Sequence, residues 1–206
     1  MKKTKEHTEI SKLRILLAAE EEFCQHGYAG ANINSIGKNA GMTKGAVFWH
    51  YKNKVMLFRA VVNRSIDKLK EMNRETFESS GDIPVIERCR EVLKRLIKDK
   101  AFDILIIMTD ADATGEIPKE IFAEFFDATF KIFSDSVQSL DDAKTRGELR
   151  QDTDPEAILL TINLILTGFA KIKQLKALSL PLNKQIDKDV ILNMIFNGLL
   201  SYQIKN

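Results

Sequence analysis

Cysteine and histidine are scarce in this chain, which has two cysteines and three histidines among 206 residues. Cys24 and Cys89 are too few and too far apart in sequence to predict a disulfide framework or a zinc site. Cys89 falls on the apolar stripe of a predicted helix, so we interpret it as a small core residue, with a redox-sensing thiol as the alternative. We therefore expect no metal site and no cofactor.

Patterns typical of catalysis are also missing. His7, His26 and His50 are the only histidines, and none stands in a setting that suggests a nucleophile partner or a metal. The sequence has no glycine-rich phosphate loop, nucleophile elbow or paired catalytic carboxylates. We expect no catalytic residues, and an enzyme stays a rival interpretation that DNA binding would rule out.

Long hydrophobic runs are absent. The longest apolar stretch, residues 158–170, is interrupted by Thr161, Asn163 and Thr167 and falls short of the roughly twenty residues that a membrane span needs. Lys2 and Lys3 imitate the start of a signal peptide, but the short apolar run at 16–19 is followed at once by three glutamates. We expect a cytoplasmic protein with no membrane partner.

Charge is nearly balanced overall, at a formal +2, but it is unevenly distributed. Residues 1–60 hold ten lysines and arginines against five glutamates, a charge of +5, which leaves 21 basic and 24 acidic residues, a charge of −3, in residues 61–206. A basic head on an acidic body is what phosphate binding by the head alone requires. The alternative is an ordinary solvated lysine surface.

The most informative segment is residues 32–54, which reads as two short helices joined by a glycine turn. Asn32 is a good N-cap for the first helix, whose buried face includes Ile36. Gly41 suits the left-handed end of that helix, and Thr43 can cap the next one. Two helices with a tight glycine turn are the helix-turn-helix pattern, whose second helix enters the major groove of DNA.

The second helix carries most of the candidate DNA contacts. Val47 is predicted to point inward together with Ala46, and the remaining side chains are predicted to face outward. Lys54 begins the following helix, where its charge can meet a phosphate. The predicted DNA-binding residues are Asn32, Thr43, Lys44, Gly45, Ala46, Trp49, His50, Lys52 and Lys54.

These residues carry a close resemblance to the N-terminal domain of the TetR family of bacterial transcriptional regulators. The chain departs from the family in having Ala31-Asn32 for the usual Thr-Thr, Phe48 for the usual Tyr and Tyr51 for a usual Phe. Phe48 lacks a hydroxyl that the family commonly directs at a phosphate. The matching positions are Ile15, Ala18, Ala19, Phe23, Gly27, Tyr28, Ile36, Ala40, Gly41, Lys44, Gly45, Trp49, His50, Lys54, Leu57 and Phe58.

The rest of the chain reads as successive helices, so we predict an all-α fold of about nine helices. A helix-turn-helix domain over residues 9–69 is expected to join an effector-binding and dimerisation domain over residues 80–206. Expected helices cover about 54–79, 84–100, 101–108, 118–146, 155–177 and 184–202, with a break at Pro181. Asp154 and Pro155 form a cap and first-turn proline.

The last two predicted helices carry more apolar residues than one core face can use. The resemblance implies that these helices pair with those of a second copy in a homodimer. An intramolecular core is the alternative.

Phenylalanines cluster on helices that the family wraps around a ligand cavity, which implies a small hydrophobic or aromatic effector. The alternative for any one of them is plain core. Asp110, Asp112 and Glu116 fall on a predicted loop, where they would attract a cationic ligand or simply face solvent. The candidate effector-binding residues are Phe102, Phe122, Phe126, Phe130, Phe133 and Phe169, with Phe125 beside them.

The resulting functional prediction is a homodimeric repressor, released from a palindromic double-stranded DNA operator by a small hydrophobic ligand. The alternative is an architectural DNA-binding protein of the same fold that has no effector.

Overall fold

A computed structural model describes residues 2–78, 83–176 and 188–203, and the description below concerns those residues. They form nine α-helices and no strand, which confirms the all-α prediction. In chain order the helices are α1 (Lys2–Gly30), α2 (Ile33–Ala40), α3 (Lys44–His50), α4 (Lys54–Glu78), α5 (Val85–Leu96), α6 (Lys100–Ala113), α7 (Lys119–Thr145), α8 (Pro155–Lys176) and α9 (Lys188–Gln203).

Helix starts and ends follow local chemistry. Gly27 has φ 68° and ψ −178°, so it breaks the helical path inside α1 at a conformation open to glycine. Asp154 caps α8 by accepting the Ala157 N–H at 3.1 Å, as its position before Pro155 predicted. The expected break at Pro181 and the expected helix start near residue 184 lie outside the described residues.

One local prediction was wrong, the assignment of Asp110 and Asp112 to a loop. Helix α6 extends to Ala113, so Asp110 and Asp112 are helical, and of the three acidic residues only Glu116 lies in the loop. Apolar residues continue through Met108 and Ala111 on the buried side of α6, which explains why the helix runs on.

The chain divides into two compact units, one of residues 1–68 with 100–128 and the other of residues 69–99 with 129–206. Segment 100–128 thus belongs with the N-terminal helices, which no local sequence pattern indicated. The domain bounds at 9–69 and 80–206 stay a prediction.

The first unit is built around α1, α2, α3 and the start of α4. Fully buried aliphatic and aromatic side chains from these helices fill its core. Helix α6 packs along α1, and Lys100 at its start forms an ion pair with Glu21. Arg59 of α4 donates to Glu124 of α7 at 2.6 Å. The core includes Ile15, Ala19, Phe23, Ile36, Val47, Leu57 and Phe58.

The second unit has its own core. Helix α5 packs against α9, and Lys98 donates to Asp189 at 2.8 Å. Cys89 is buried here, and this burial raises the pKa of its thiol to about 12, so it stays protonated near neutral pH. The core also contains Ile86, Leu140, Leu192 and Phe196.

Candidate nucleic-acid interface

The turn between α2 and α3 is held by backbone and cap hydrogen bonds. The Asn32 side chain accepts the Asn34 N–H at 2.8 Å, and the Thr43 hydroxyl accepts the Ala46 N–H at 3.1 Å. Gly41 ends α2 with φ 70° and ψ 35°, and the Met42 N–H donates to the Gly37 carbonyl at 2.8 Å. Both caps and the glycine end therefore lie where the sequence predicted them.

Gly41 should be the least replaceable residue of this turn. Alanine in a left-handed conformation costs about 1–2 kcal/mol, and a Cβ at Gly41 would lie 2.7 Å from an Arg14 guanidinium nitrogen. We expect Gly41→Ala to lower the free energy of unfolding by about 1–2 kcal/mol for the backbone strain, and by a smaller further amount for displacing the Arg14 side chain, measured by urea titration. Gly115→Ala is the matched control, because Gly115 has the same φ but open space around it. An equal loss in both variants would show that the Arg14 contact contributes nothing.

The outward face of α3 presents a short set of side chains. Lys44, Gly45 and Trp49 are exposed. Trp49, the only tryptophan in the sequence, is 73% exposed. Val47 is buried, as predicted, whereas Ala46 and His50 are half-buried. Tryptophan is enriched among the residues that contribute most to binding, so Trp49 is a candidate contact residue.

His50 was predicted to face outward, but its side chain is half-buried. Its ring packs edge-on against Trp49, with centroids 4.7 Å apart, and its Nδ1 is buried without a hydrogen-bond partner. Burial lowers the pKa of His50, and nearby Lys12 lowers it further while Glu9 opposes this. The lowered pKa favours the neutral form of the His50 imidazole near neutral pH.

Phe48 sits where the family usually has a tyrosine. The Lys44 ammonium lies over the Phe48 ring, 5.7 Å from its centroid, which is a cation–π distance. Lys52 is exposed in the segment that follows α3. The ring of Phe48 thus lies against Lys44, the first residue of α3.

Lys54 has a structural role that the sequence did not reveal. Its ammonium donates to the Ala29 carbonyl at 2.8 Å and lies 5.0 Å from the centroid of the Tyr28 ring. These contacts connect the start of α4 to the end of α1. Asn53, also missed by the sequence analysis, caps α4 by accepting the Met56 N–H at 2.8 Å.

A Lys54→Met variant separates the two roles of this side chain. If the ammonium also meets a DNA phosphate, binding should weaken equally for all sequences and the salt slope should fall by about 0.9. Loss of the Ala29 hydrogen bond should cost about 1 kcal/mol of stability. We expect both effects, measured by DNA titration at several salt concentrations and by urea unfolding. Lys70→Met on α4 is the charge-matched control, and a lowered stability with an unchanged salt slope would leave Lys54 purely structural.

Glu22 is the other residue that sequence reasoning missed. It is 5% exposed, and it accepts the Asn32 N–H at 3.0 Å, while His26 Nδ1 lies 3.5 Å from the same carboxylate. This buried carboxylate joins the N-terminal end of α2 to α1. The sequence could have identified Glu22 by its position four residues after Ala18, which places it on the inward face of α1.

The candidate effector residues do not form one buried set. Phe102 and Phe125 are buried, Phe122 and Phe133 are half-buried, and Phe126 and Phe130 are exposed on α7. Phe126 and Phe130 are four residues apart and so share one side of α7. The side chain of Phe169 lies outside the described residues. An effector site at these residues stays a prediction.

Residues 15–61 match the family model described as bacterial regulatory proteins, tetR family. This N-terminal segment belongs to the TetR family. The match covers the capped α2–α3 turn and the exposed face of α3. Residues 1–68, which contain this segment, are called the TetR-family head below.

Several known proteins resemble the chain beyond the TetR-family head. It is 27% identical over 103 residues to the HTH-type transcriptional regulator TtgR of Pseudomonas putida, and this alignment covers 50% of the chain and 49% of TtgR. The chain thus matches about half the length of that relative. The SmeT–triclosan complex superposes with a TM-score of 0.67 at 24% identity, covering 95% of this chain and 92% of SmeT. AibR in complex with isovaleryl coenzyme A and operator DNA gives a TM-score of 0.66 at 19% identity, covering 91% of this chain and 97% of AibR. These superpositions show the fold.

Within the described ranges, no helix is long and apolar enough to cross a bilayer. The same residues hold no group of three or more metal-ligating side chains.

Proposed function

We propose that the chain is a DNA-binding transcriptional regulator that acts as a homodimeric repressor. The observation that carries this proposal is the α2–α3 unit, with both helices capped and Lys44, Gly45 and Trp49 exposed on α3. A short capped helix with exposed side chains fits the major groove, and the excess of basic residues in residues 1–60 supplies attraction to phosphate. This function would place the protein in the cytoplasm, where operator DNA is found.

Exposed apolar side chains on the last two helices support a homodimer. Leu160 and Leu164 on α8 are 56% and 64% exposed, and Val190 and Met194 on α9 are 51% and 71% exposed. In each helix the two residues are four apart, so they form a stripe on one side. Leu192 and Phe196 of α9 are fully buried, so α9 carries a core face as well as this outer stripe. Two copies joined by these stripes would present two recognition helices to a palindrome.

Release by a small hydrophobic effector is the regulatory part of the proposal. It is supported by the fold shared with SmeT bound to triclosan and AibR bound to isovaleryl coenzyme A and operator DNA. A ligand shifts DNA affinity only by its differential affinity for the two shapes, typically about 1–3 kcal/mol, and operator must weaken ligand binding by the same factor. An architectural protein of the same fold would show no such coupling.

The test is to recover and sequence the genomic fragments that the purified protein retains. A palindromic motif shared by those fragments is the expected result, and footprinting on it gives the operator for later titrations. Retention of DNA with no shared motif would favour the architectural alternative. Failure to retain any DNA would overturn the proposal and revive the enzyme interpretation.

A further inference from the structure

Helix α1 carries an exposed apolar stripe on the side opposite its core face. Ile10, Leu13 and Leu17 are 50%, 46% and 45% exposed, whereas Ile15 and Ala19 on the inward side are fully buried. The spacing of three and then four residues is that of the a and d positions of a coiled coil. The TetR-family head therefore has a solvent-exposed apolar stripe with the spacing of a helix–helix interface.

The same side of α1 is already an interface further along the helix. Glu21 and Cys24 follow Leu17 on this side, at a rotation of 100° per residue. Glu21 pairs with Lys100 at the start of α6, and the Cys24 Sγ lies 3.9 Å from the Lys100 carbonyl oxygen. Helix α6 thus covers the second half of this face, and the stripe is the part of the face that α6 leaves exposed.

We propose that this stripe docks onto the same stripe of a second copy of the chain, bound at a neighbouring site on the same DNA. The inference rests on the proposed DNA binding. The stripe lies beside the turn between α2 and α3, because the guanidinium of Arg14, the residue after Leu13, lies 2.7 Å from where a Cβ at Gly41 would stand. Copies at adjacent sites would therefore bring their α1 helices together.

Charge supports a second copy as the occupant. With Ile10, Leu13 and Leu17 at the a, d and a positions, Glu9 takes a g position and Arg14 the following e position. In a parallel pair of helices, Glu9 of one copy lies beside Arg14 of the other. Both residues are exposed, and Glu9 pairs with Lys12 of its own helix at 2.9 Å. The charges that flank the stripe on one copy are thus complementary to those that flank it on a second copy.

The size of the stripe decides where the contact forms. Three half-exposed side chains are far below the about 800 Å² per partner of a standard stable interface. Such a contact fails between free molecules but holds when DNA keeps both copies at a high effective concentration. It therefore appears as cooperative DNA binding and leaves the oligomeric state in solution unchanged.

The experiment uses the full chain and DNA carrying one operator or two, with the spacing between the two varied base pair by base pair over one helical turn. We expect wild-type protein to bind the second site about ten-fold more tightly than the first at a favoured spacing. The Leu13→Gln/Leu17→Gln variant should lose this factor and keep its single-site affinity. Met56→Gln, which alters an exposed apolar side chain of α4, is the control and should stay cooperative.

A charge swap tests the parallel arrangement. Arg14→Glu should reduce the cooperative factor, and Glu9→Arg combined with Arg14→Glu should restore it. Single-site binding without cooperativity at any spacing would overturn this inference alone, as would cooperativity that survives in Leu13→Gln/Leu17→Gln. Absence of single-site binding in the wild type would instead overturn the proposed function.

Discussion

Placing glutamates at both Leu164 and Met194 should split the proposed dimer and reduce operator affinity by two to three orders of magnitude. These side chains are 64% and 71% exposed, so the charges meet water in a single folded copy. In a dimer joined by these stripes the carboxylates would be buried without partners, at a cost of about 3–5 kcal/mol. Sedimentation velocity measures the split, and titration of the operator measures the loss of affinity.

Two controls identify the surface responsible. Ile83→Glu changes another exposed apolar side chain, 58% exposed, and should leave a dimer with normal affinity. Phe196→Glu places the same charge on the buried face of α9 and should unfold the protein, because Phe196 has no exposed area. A double variant that still sediments as a dimer would move the interface to another face. A wild-type monomer that binds its operator tightly would remove the need for a dimer.

Local chemistry explains which features could be predicted from the sequence. Asn32, Gly41 and Thr43 act through hydrogen bonds or dihedral angles that span at most four residues, so the sequence pattern alone specifies them. The helical periods likewise gave the all-α fold. The order of helices α2, α3 and α4 followed directly from the caps and the glycine between them.

Contacts between distant segments were not predictable in this way. The ammonium of Lys54 meets a carbonyl 25 residues earlier in the chain, and Lys100 meets Glu21 across 79 residues. No local period encodes such pairs, so Lys54 was interpreted only as a phosphate contact. The phenylalanines of α7 show the same limit, because the sequence placed them on a helix but could not show that Phe126 and Phe130 are exposed.

Truncating Phe58 to alanine should be the most damaging single change in the TetR-family head. Phe58 is 1% exposed and its ring lies edge-on to Phe23, with centroids 4.8 Å apart, and 5.0 Å from the centroid of Tyr28. This cluster joins the end of α1 to α4, next to the Lys54 contact with Ala29. Removing the ring loses its burial and leaves a cavity, at a cost of about 3–5 kcal/mol.

That loss is a large share of the about 5–15 kcal/mol that stabilises an ordinary folded domain. We therefore expect Phe58→Ala to unfold at a much lower urea concentration and to lose operator binding through the unfolded fraction. Phe58→Leu is the control, because it keeps most of the apolar volume and should cost less than about 1.5 kcal/mol. Since neither variant touches the exposed face of α3, any operator affinity left in the folded fraction should match the wild type. A Phe58→Ala protein as stable as the wild type would mean that the aromatic cluster does not hold α1 and α4 together.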